Sequence, residues 1–321
     1  MQTRDRNLLK IAIKIAISAA LMGWLLSKID SSALSEGLSQ TSLYVLISAF
    51  IILLALSVAQ TCRWVLVART MGVRLTFLKA WSISLIGLFF NQTLPSSIGG
   101  DAVRVWRLKR AGFQVGLSIR TVLLDRLVAL FGLVVIATIG LPALMGWIGN
   151  QPLRWVVPFL IACGYAGFFC LLLIDTAPIR KLLSGKLTDE IVGLGHGARV
   201  VFLHPACIVP TLSLSLFIHA GVCAVVFLLA LDLGAEITFW QMLVLFPPVL
   251  LITLVPFSIA GWGIREGAMI TALGFVGVPP VTAFSISILF GIVMVAVGVA
   301  GGIVWLATGR QRPVVENETN L

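Results

Sequence analysis

The chain is dominated by long apolar runs in which polar residues have no regular spacing. The stretch from Leu43 to Ala59, for example, contains no charged residue. A helix that crosses a bilayer needs about 20 mostly apolar residues, whereas the strands of a membrane barrel alternate apolar and polar positions. The pattern therefore predicts six spanning helices. They cover residues 9–27, 43–66, 117–147, 154–174, 206–231 and 281–307.

Two further apolar segments, residues 75–98 and 237–277, contain proline and glycine in mid-run. Proline lacks a backbone donor and glycine adopts conformations that strain other residues. We therefore expect each segment to be a broken helix. Residues 176–204 place basic and apolar side chains at helical spacing, which predicts an amphipathic helix on the membrane surface.

The composition supports a membrane protein. Of the 321 residues, 59% are hydrophobic and 11% are charged, whereas soluble domains carry about 25% charged residues. This excludes a soluble enzyme, a disordered chain and a disulfide-stabilised scaffold. The predicted fold class is an all-α polytopic membrane protein.

The net charge of +10 is explained by the positions of the basic residues. Basic residues near membrane spans stay on the cytoplasmic side, and one topology places nearly all 23 of them there. In that topology both termini are cytoplasmic, and each broken segment starts and ends on one side of the inner membrane. We therefore expect two re-entrant hairpins, which enter from opposite sides. The charge is an orientation signal, so we expect no nucleic-acid partner.

The two broken segments resemble each other in sequence. Residues 95–104 and 256–265 align without a gap at an offset of 161 residues, and the same offset aligns two pairs of predicted spans. Inverted repeats with broken helices at corresponding positions are typical of secondary transporters. We expect residues 1–150 and 151–308 to form the repeats and 309–321 a cytoplasmic tail. The identical pairs are Pro95/Pro256, Ser97/Ser258, Ile98/Ile259, Gly100/Gly261 and Arg104/Arg265.

The broken segments also carry candidate chemistry. A helix that begins at Gly99 and Gly100 after non-helical backbone presents free N–H groups, which favour an anion. Arg104 and Arg265, one turn further on, add guanidinium groups that bind phosphate through two hydrogen bonds. This arrangement is typical of a path for lipid head groups.

Neighbouring polar residues leave alternatives open. Asp101 and Glu266 lie close enough in sequence to pair with the arginines and merely hold the turns. Asp125 and Arg126 lie inside a predicted span, where charges are usually functional or paired, although snorkelling to the boundary is an alternative. Asn91 precedes the first break, where its amide is placed to satisfy unwound backbone.

Three motifs together are specific. They are Asn91-x-x-x-Pro95-x-x-x-Gly99-Gly100-Asp101-x-x-Arg104, then Asp125-Arg126, and then Gly261-Trp262-Gly263-x-Arg265-Glu266. Over about residues 10–308 the chain resembles the lysylphosphatidylglycerol synthase transmembrane-region family, also called flippase-like or UPF0104 proteins. Arg63 and Trp64 fit the same pattern, although their place at the end of a span favours an interface anchor. Gly298 and Gly302, one turn apart, indicate close helix packing.

The resemblance implies a lipid-translocating membrane domain, which is fused to a cytosolic aminoacyl-transferase domain in multiple-peptide-resistance proteins. Because the chain ends soon after its last predicted span, we expect a stand-alone member without that domain. Synthase activity is therefore not part of the expectation.

The leading hypothesis is transport of an anionic, aminoacylated or lipid-linked phosphate head group between the two repeats. An intramembrane transferase with a lipid-linked donor, or an accessory protein of lipid or envelope biosynthesis, is the alternative. Catalytic residues, cofactors and metals are not expected. The expected partner is a membrane phospholipid or lipid-linked sugar, with a second copy or a separate lipid-modifying enzyme left open. The head-group or gate candidates are Asn91, Pro95, Gly99, Gly100, Asp101, Arg104, Asp125, Arg126, Pro256, Gly261, Arg265 and Glu266.

Overall fold

The computed structural model describes residues 39, 41–93, 99–149, 151–174, 186–254 and 262–308. These residues form ten α-helices and a single 3₁₀ turn, Pro152–Trp155, and they contain no strand. The helices are α1 (Leu43–Thr70), α2 (Phe77–Thr93), α3 (Gly99–Arg110), α4 (Val115–Ile148), α5 (Val156–Ile174), α6 (Lys186–Leu203), α7 (Pro205–Asp232), α8 (Phe239–Thr253), α9 (Ile264–Gly274) and α10 (Pro280–Thr308).

Five of these helices, α1, α4, α5, α7 and α10, are long and apolar enough to cross a membrane. They correspond to five of the six spans that the apolar runs predict. The first predicted span, residues 9–27, lies outside the described residues. The prediction of an all-helical membrane protein with several spans is confirmed, while the full arrangement of six spans and two hairpins stays a prediction.

Two short helices lie at each broken segment, and in the first of them α3 follows the segment. The helices α2 and α3 flank residues 94–98, and α8 and α9 flank residues 255–261. The two intervals that separate these described helices contain Pro95 and Pro256 in sequence. Of the residues that motivated the prediction, Pro95, Pro256 and Gly261 lie outside the described residues.

The helices α1 and α7 pack against each other and run in opposite directions. At one end the backbone N–H of Ser42 donates to Asp232 Oδ2 at 2.8 Å. Further along, Leu56 of α1 packs on Gly221 of α7. The start of α1 therefore lies beside the end of α7, and the two helices form an antiparallel pair.

Glycines on one face of α10 allow α2 to approach it closely. Gly298 and Gly302, which the sequence indicates as a packing pair, both face side chains of α2. Between them, a Cβ atom at Gly301 would overlap the carbonyl oxygen of Leu85. Only a residue without a side chain fits at this contact.

The helix α6 covers part of the predicted amphipathic stretch and packs against α4, α5 and α7. Its buried face includes Ala198, Val201 and Phe202. Near its start Glu190 forms an ion pair with Arg120 of α4, with 3.0 Å between Oε2 and Nη2. One face of α6 is thus attached to the bundle, and its placement on the membrane surface stays a prediction.

The close contact between α2 and α10 predicts that replacing glycine by alanine lowers stability at Gly301 but not at Gly146. Gly301→Ala is expected to destabilise the fold by about 1–3 kcal/mol, because the added methyl overpacks the contact. Gly146→Ala in α4 meets no atom within 4 Å, and it is expected to be neutral or stabilising by about 0.5–1 kcal/mol. Thermal unfolding of both variants in detergent tests this, and equal midpoints would contradict the packing.

Candidate functional site

Asp125 of α4 is fully buried and accepts hydrogen bonds from arginines on two other helices. Arg63 of α1 donates through Nε to Oδ1 at 2.9 Å, and Arg104 of α3 donates through Nη2 to Oδ2 at 3.0 Å. Both arginine side chains are buried as well. Buried ions are costly unless they are paired and hydrogen-bonded, so this trio holds α1, α3 and α4 in one arrangement.

Asp101 and Arg126 connect α3 to α4 a second time. Arg126 donates through Nε to Asp101 Oδ2 at 2.8 Å and through Nη2 to Oδ1 at 3.1 Å, which is a bidentate pair. Arg104 Nη1 lies 3.3 Å from Asp101 Oδ1. We call Arg63, Asp101, Arg104, Asp125 and Arg126 the first cluster. It holds three cationic and two anionic side chains.

The interpretation of Arg63 and Trp64 as an interface anchor is wrong. Their exposed fractions are 2% and 0%. Arg63 Nη1 donates to Ser215 Oγ of α7 at 3.1 Å, and the Trp64 ring centre lies 4.2 Å from Cζ of Arg104, a cation–π contact. An arginine near the end of an apolar run is free to snorkel only if no carboxylate faces it. Here Asp125 faces Arg63 and pairs with it.

Asn91 joins the end of α2 to the start of α3. Its Oδ1 accepts a hydrogen bond from the backbone N–H of Gly100 at 2.9 Å. A Cβ atom at Gly100 would overlap the carbonyl oxygen of Gly87, so the close approach of α2 and α3 requires glycine. The expectation of two free N–H groups is corrected at Gly100, because Asn91 occupies that donor.

The second broken segment carries a smaller cluster at the start of α9. Arg265 Nη2 lies 2.8 Å from Glu266 Oε1, and Arg265 Nε donates to Ser287 Oγ of α10 at 3.0 Å. Ser287 in turn donates to Glu266 Oε1 at 3.0 Å. The other carboxylate oxygen of Glu266 accepts from the N–H of Gly263, whose φ of 87° favours glycine. We call Arg265, Glu266 and Ser287 the second cluster.

The structure brings Asp101, Arg104, Asp125 and Arg126 together in the first cluster, and Arg265 and Glu266 together in the second. The ion pairs Asp101–Arg104 and Arg265–Glu266, considered from the sequence as holding the turns, are both present. Sequence reasoning missed Ser215 and Ser287. A serine inside an apolar run carries no local signal of its partner, which comes from a distant part of the chain.

Two further features bear on what the site can hold. An almost entirely apolar cavity of about 320 Å³ lies between α4, α5, α8 and α9. Gly263 and Ile264, at the start of α9, form part of its wall, so the cavity borders the second cluster. Among the described residues, no group of three His, Cys, Asp or Glu side chains is placed to hold a metal ion.

Helices of membrane-spanning length around buried arginine–carboxylate clusters define a polytopic helical membrane protein. The family model described as Lysylphosphatidylglycerol synthase TM region matches residues 11–302, so the chain belongs to this family. A UPF0104 membrane protein of Archaeoglobus fulgidus is 28% identical over 117 residues. That alignment covers 36% of this chain and 34% of the relative, so the chain spans about a third of the relative's length.

The burial of Asp125 predicts a large effect from removing its charge. Asp125→Asn leaves Arg63 and Arg104 buried with an incomplete partner, and it is expected to cost about 3–5 kcal/mol of stability. The matched control is Glu190→Gln, which removes the same charge from an exposed pair and is expected to cost about 0–1 kcal/mol. Urea or thermal unfolding in detergent provides the measurement. Similar losses in both variants would show that Asp125 is not a structural centre.

Proposed function

We propose that the protein translocates lipids across the inner membrane, moving an anionic, aminoacylated or lipid-linked phosphate head group between the leaflets. The first cluster carries this proposal, because it places three arginines beside a helix break in a chain with membrane-spanning helices. Ionisable groups at such positions usually serve a transported ligand or pair with one another. Membership of a family described by a phospholipid synthase TM region supports a lipid as the substrate.

The order and packing of the helices support an inverted repeat, on which the proposed mechanism depends. The order of one long helix, two short helices and one long helix occurs twice, as α1–α4 and as α7–α10. The packing follows the same correspondence, since α2 packs on α10 while α8 packs on α4. The antiparallel orientation of α1 and α7 is expected for corresponding helices of inverted repeats. In the proposed arrangement, residues 1–150 and 151–308 are the repeats, and 309–321 form a cytoplasmic tail.

The broken segments serve as gates in this mechanism. Asp101 and Arg104, with the glycines before them, form the inner gate, while Arg265 and Glu266, with Gly261, form the outer gate. A buried ion pair separates at low cost only if another charged group replaces the lost partner. At the inner gate a charged head group supplies that replacement. Opening is therefore coupled to the presence of the substrate.

The cavity beside the second cluster suits the apolar part of the same ligand. Its wall is formed by aliphatic side chains of α4, α5 and α8 and by the start of α9. In the proposed mechanism this apolar cavity holds part of an acyl chain, and recognition of the charged head group is left to arginine side chains.

The described acidic residues favour transport over catalysis. A transferase needs a carboxylate or a histidine placed as a base or a metal ligand. Asp101, Asp125 and Glu266 are instead each engaged by arginine. A carboxylate that is paired with a guanidinium in this way is placed as an ion-pair partner and not as a base or a metal ligand. We therefore propose a transporter, with a membrane phospholipid or lipid-linked sugar as its partner.

Reconstitution into phosphatidylcholine vesicles tests the function. Fluorescent phosphatidylglycerol is added to both leaflets, and an impermeant reductant bleaches the outer one. We expect the protein to expose the inner pool to bleaching. Arg104→Lys keeps the positive charge but loses the planar guanidinium. The rate of lipid movement in this variant is therefore expected to fall about tenfold. Arg110→Lys, the same change at an exposed position of α3, is expected to match the natural chain.

Two results would contradict the proposal. If no labelled anionic, aminoacylated or lipid-linked phosphate substrate moves faster than in protein-free vesicles, lipid translocation is wrong. If Arg104→Lys and Arg110→Lys move the lipid at the same rate, the first cluster is not part of the path.

Thiol labelling of intact cells tests the proposed orientation. Ala111→Cys and Gln151→Cys place exposed thiols beyond the two ends of α4, in a chain whose native cysteines have been replaced. An impermeant maleimide is expected to label the thiol at 151 and to reach the thiol at 111 only after the membrane is permeabilised. Labelling of the thiol at 111 in intact cells would contradict the cytoplasmic placement of the first hairpin.

A further inference from the structure

The two clusters differ in charge although they occupy corresponding places in the chain. The second cluster has one cation and one anion, with Ser287 completing the hydrogen bonds. The first cluster has three cations and two anions, so it carries one surplus positive charge.

The sequence explains this difference. Of the five charged residues in the first cluster, only Arg104 has a charged counterpart 161 residues further on, namely Arg265. The other four positions correspond to uncharged residues. These are Ala224 for Arg63, Trp262 for Asp101, Ile286 for Asp125 and Ser287 for Arg126.

Within the described residues, no ion pair beyond those of the first cluster balances its surplus. The interval 94–98 reads Leu-Pro-Ser-Ser-Ile and holds no charged side chain. The remainder of α3 adds Arg107, Lys109 and Arg110. An uncompensated charge is costly to bury, so this half of the molecule favours a counter-anion.

One edge of the first cluster is open to such an anion. The Arg126 side chain is 40% exposed and that of Asp101 is 14% exposed, whereas the Arg104 side chain is 4% exposed. The buried Nε of Arg104 has no hydrogen-bond partner in the described part of the chain. The first cluster therefore combines an accessible guanidinium, that of Arg126, with a buried hydrogen-bond donor, Arg104 Nε, that has no partner among the described residues.

We propose that the first cluster binds one phosphate-bearing anion and that the second cluster binds none. This deepens the proposed function, on which it rests, by assigning anion recognition to one half of the molecule. The first cluster recognises the substrate, and the second cluster is a closed helix cap that opens and shuts with its hairpin. Phosphate chemistry is shared by a lipid head group and by free phosphate, so the experiment separates these two sources.

Native mass spectrometry of the detergent-purified chain measures the binding directly. Phosphatidylglycerol, which carries one net negative charge, is titrated against phosphatidylcholine, which carries none. We expect one phosphatidylglycerol to bind in preference to phosphatidylcholine. Arg126→Gln makes the cluster neutral and is expected to weaken phosphatidylglycerol binding about tenfold. Asp101→Asn raises the surplus positive charge and is expected to strengthen phosphatidylglycerol binding.

The double variant separates charge balance from local damage. Asp101→Asn combined with Arg126→Gln restores a surplus of one, through Arg63 and Arg104 against Asp125. Binding is expected to recover to within about threefold of the natural chain, because close pairs are not additive. Loss in Arg126→Gln without recovery in the double variant overturns the proposal, as does equal binding of the two lipids.

Two controls locate the site. Arg110→Gln makes the same charge change at an exposed position of α3 and is expected to leave binding within about twofold. The pair Arg265→Gln with Glu266→Gln removes the second cluster without changing the net charge, and binding is expected to persist. If that variant melts below the natural chain, Ser287→Ala replaces it. A clear loss of binding in the folded variant overturns the assignment to the first cluster alone.

A competition with inorganic phosphate identifies the source of the anion. Displacement of the lipid shows that free phosphate suffices, whereas resistance to displacement assigns recognition to a lipid-borne phosphodiester. Because binding is measured without lipid movement, its result is independent of the vesicle assay. The protein could move no lipid in vesicles and still bind phosphatidylglycerol in proportion to the charge of the first cluster. That result would reject translocation and support the anion site.

Discussion

A carboxylate without access to water must be neutralised by the residues around it, and the position of Asp125 follows from this constraint. Arg63 and Arg104 reach it from two different helices at 2.9 and 3.0 Å. The hydrogen bond from Arg63 to Ser215 adds α7 to the same arrangement. If one of these helices moved alone, a buried charge would lose its partner. The position of α3 beside α4 is thus fixed by electrostatics as well as by packing.

Close backbone contacts complete what the ion pairs begin. The glycine face of α10 lets α2 approach until the carbonyl of Leu85 leaves no space for a side chain at Gly301. In the other half, α8 packs on α4. Each half therefore places one of its short helices on the last long helix of the other half. In the proposed transport mechanism, motion of one broken segment has to be accommodated by the opposite half, which is a physical basis for coupling the two proposed gates.

The halves are similar in backbone and different in charge. Each has an arginine beside a tryptophan ring, with Cζ-to-ring distances of 4.2 Å at Arg104 and 4.8 Å at Arg265. Around Arg265 the charges cancel within one turn of helix, whereas around Arg104 they extend over three helices and leave a positive surplus. In the proposed inverted repeat, both copies keep the contact between arginine and tryptophan, whereas the surplus charge that we assign to anion binding lies in the first copy alone.

The sequence by itself determined the features that depend on local properties. Run length identified the five described spans, and proline with glycine identified the breaks, because helix length and backbone freedom need no distant partner. It also identified Asp101, Asp125, Arg265 and Glu266 as unusual charges. Only the tertiary structure decided which charges meet. Arg63 pairs with a residue 62 positions away and bonds to another 152 positions away, and such partners follow from which helices are neighbours. For this reason Arg63 was misplaced and Ser215 and Ser287 were missed.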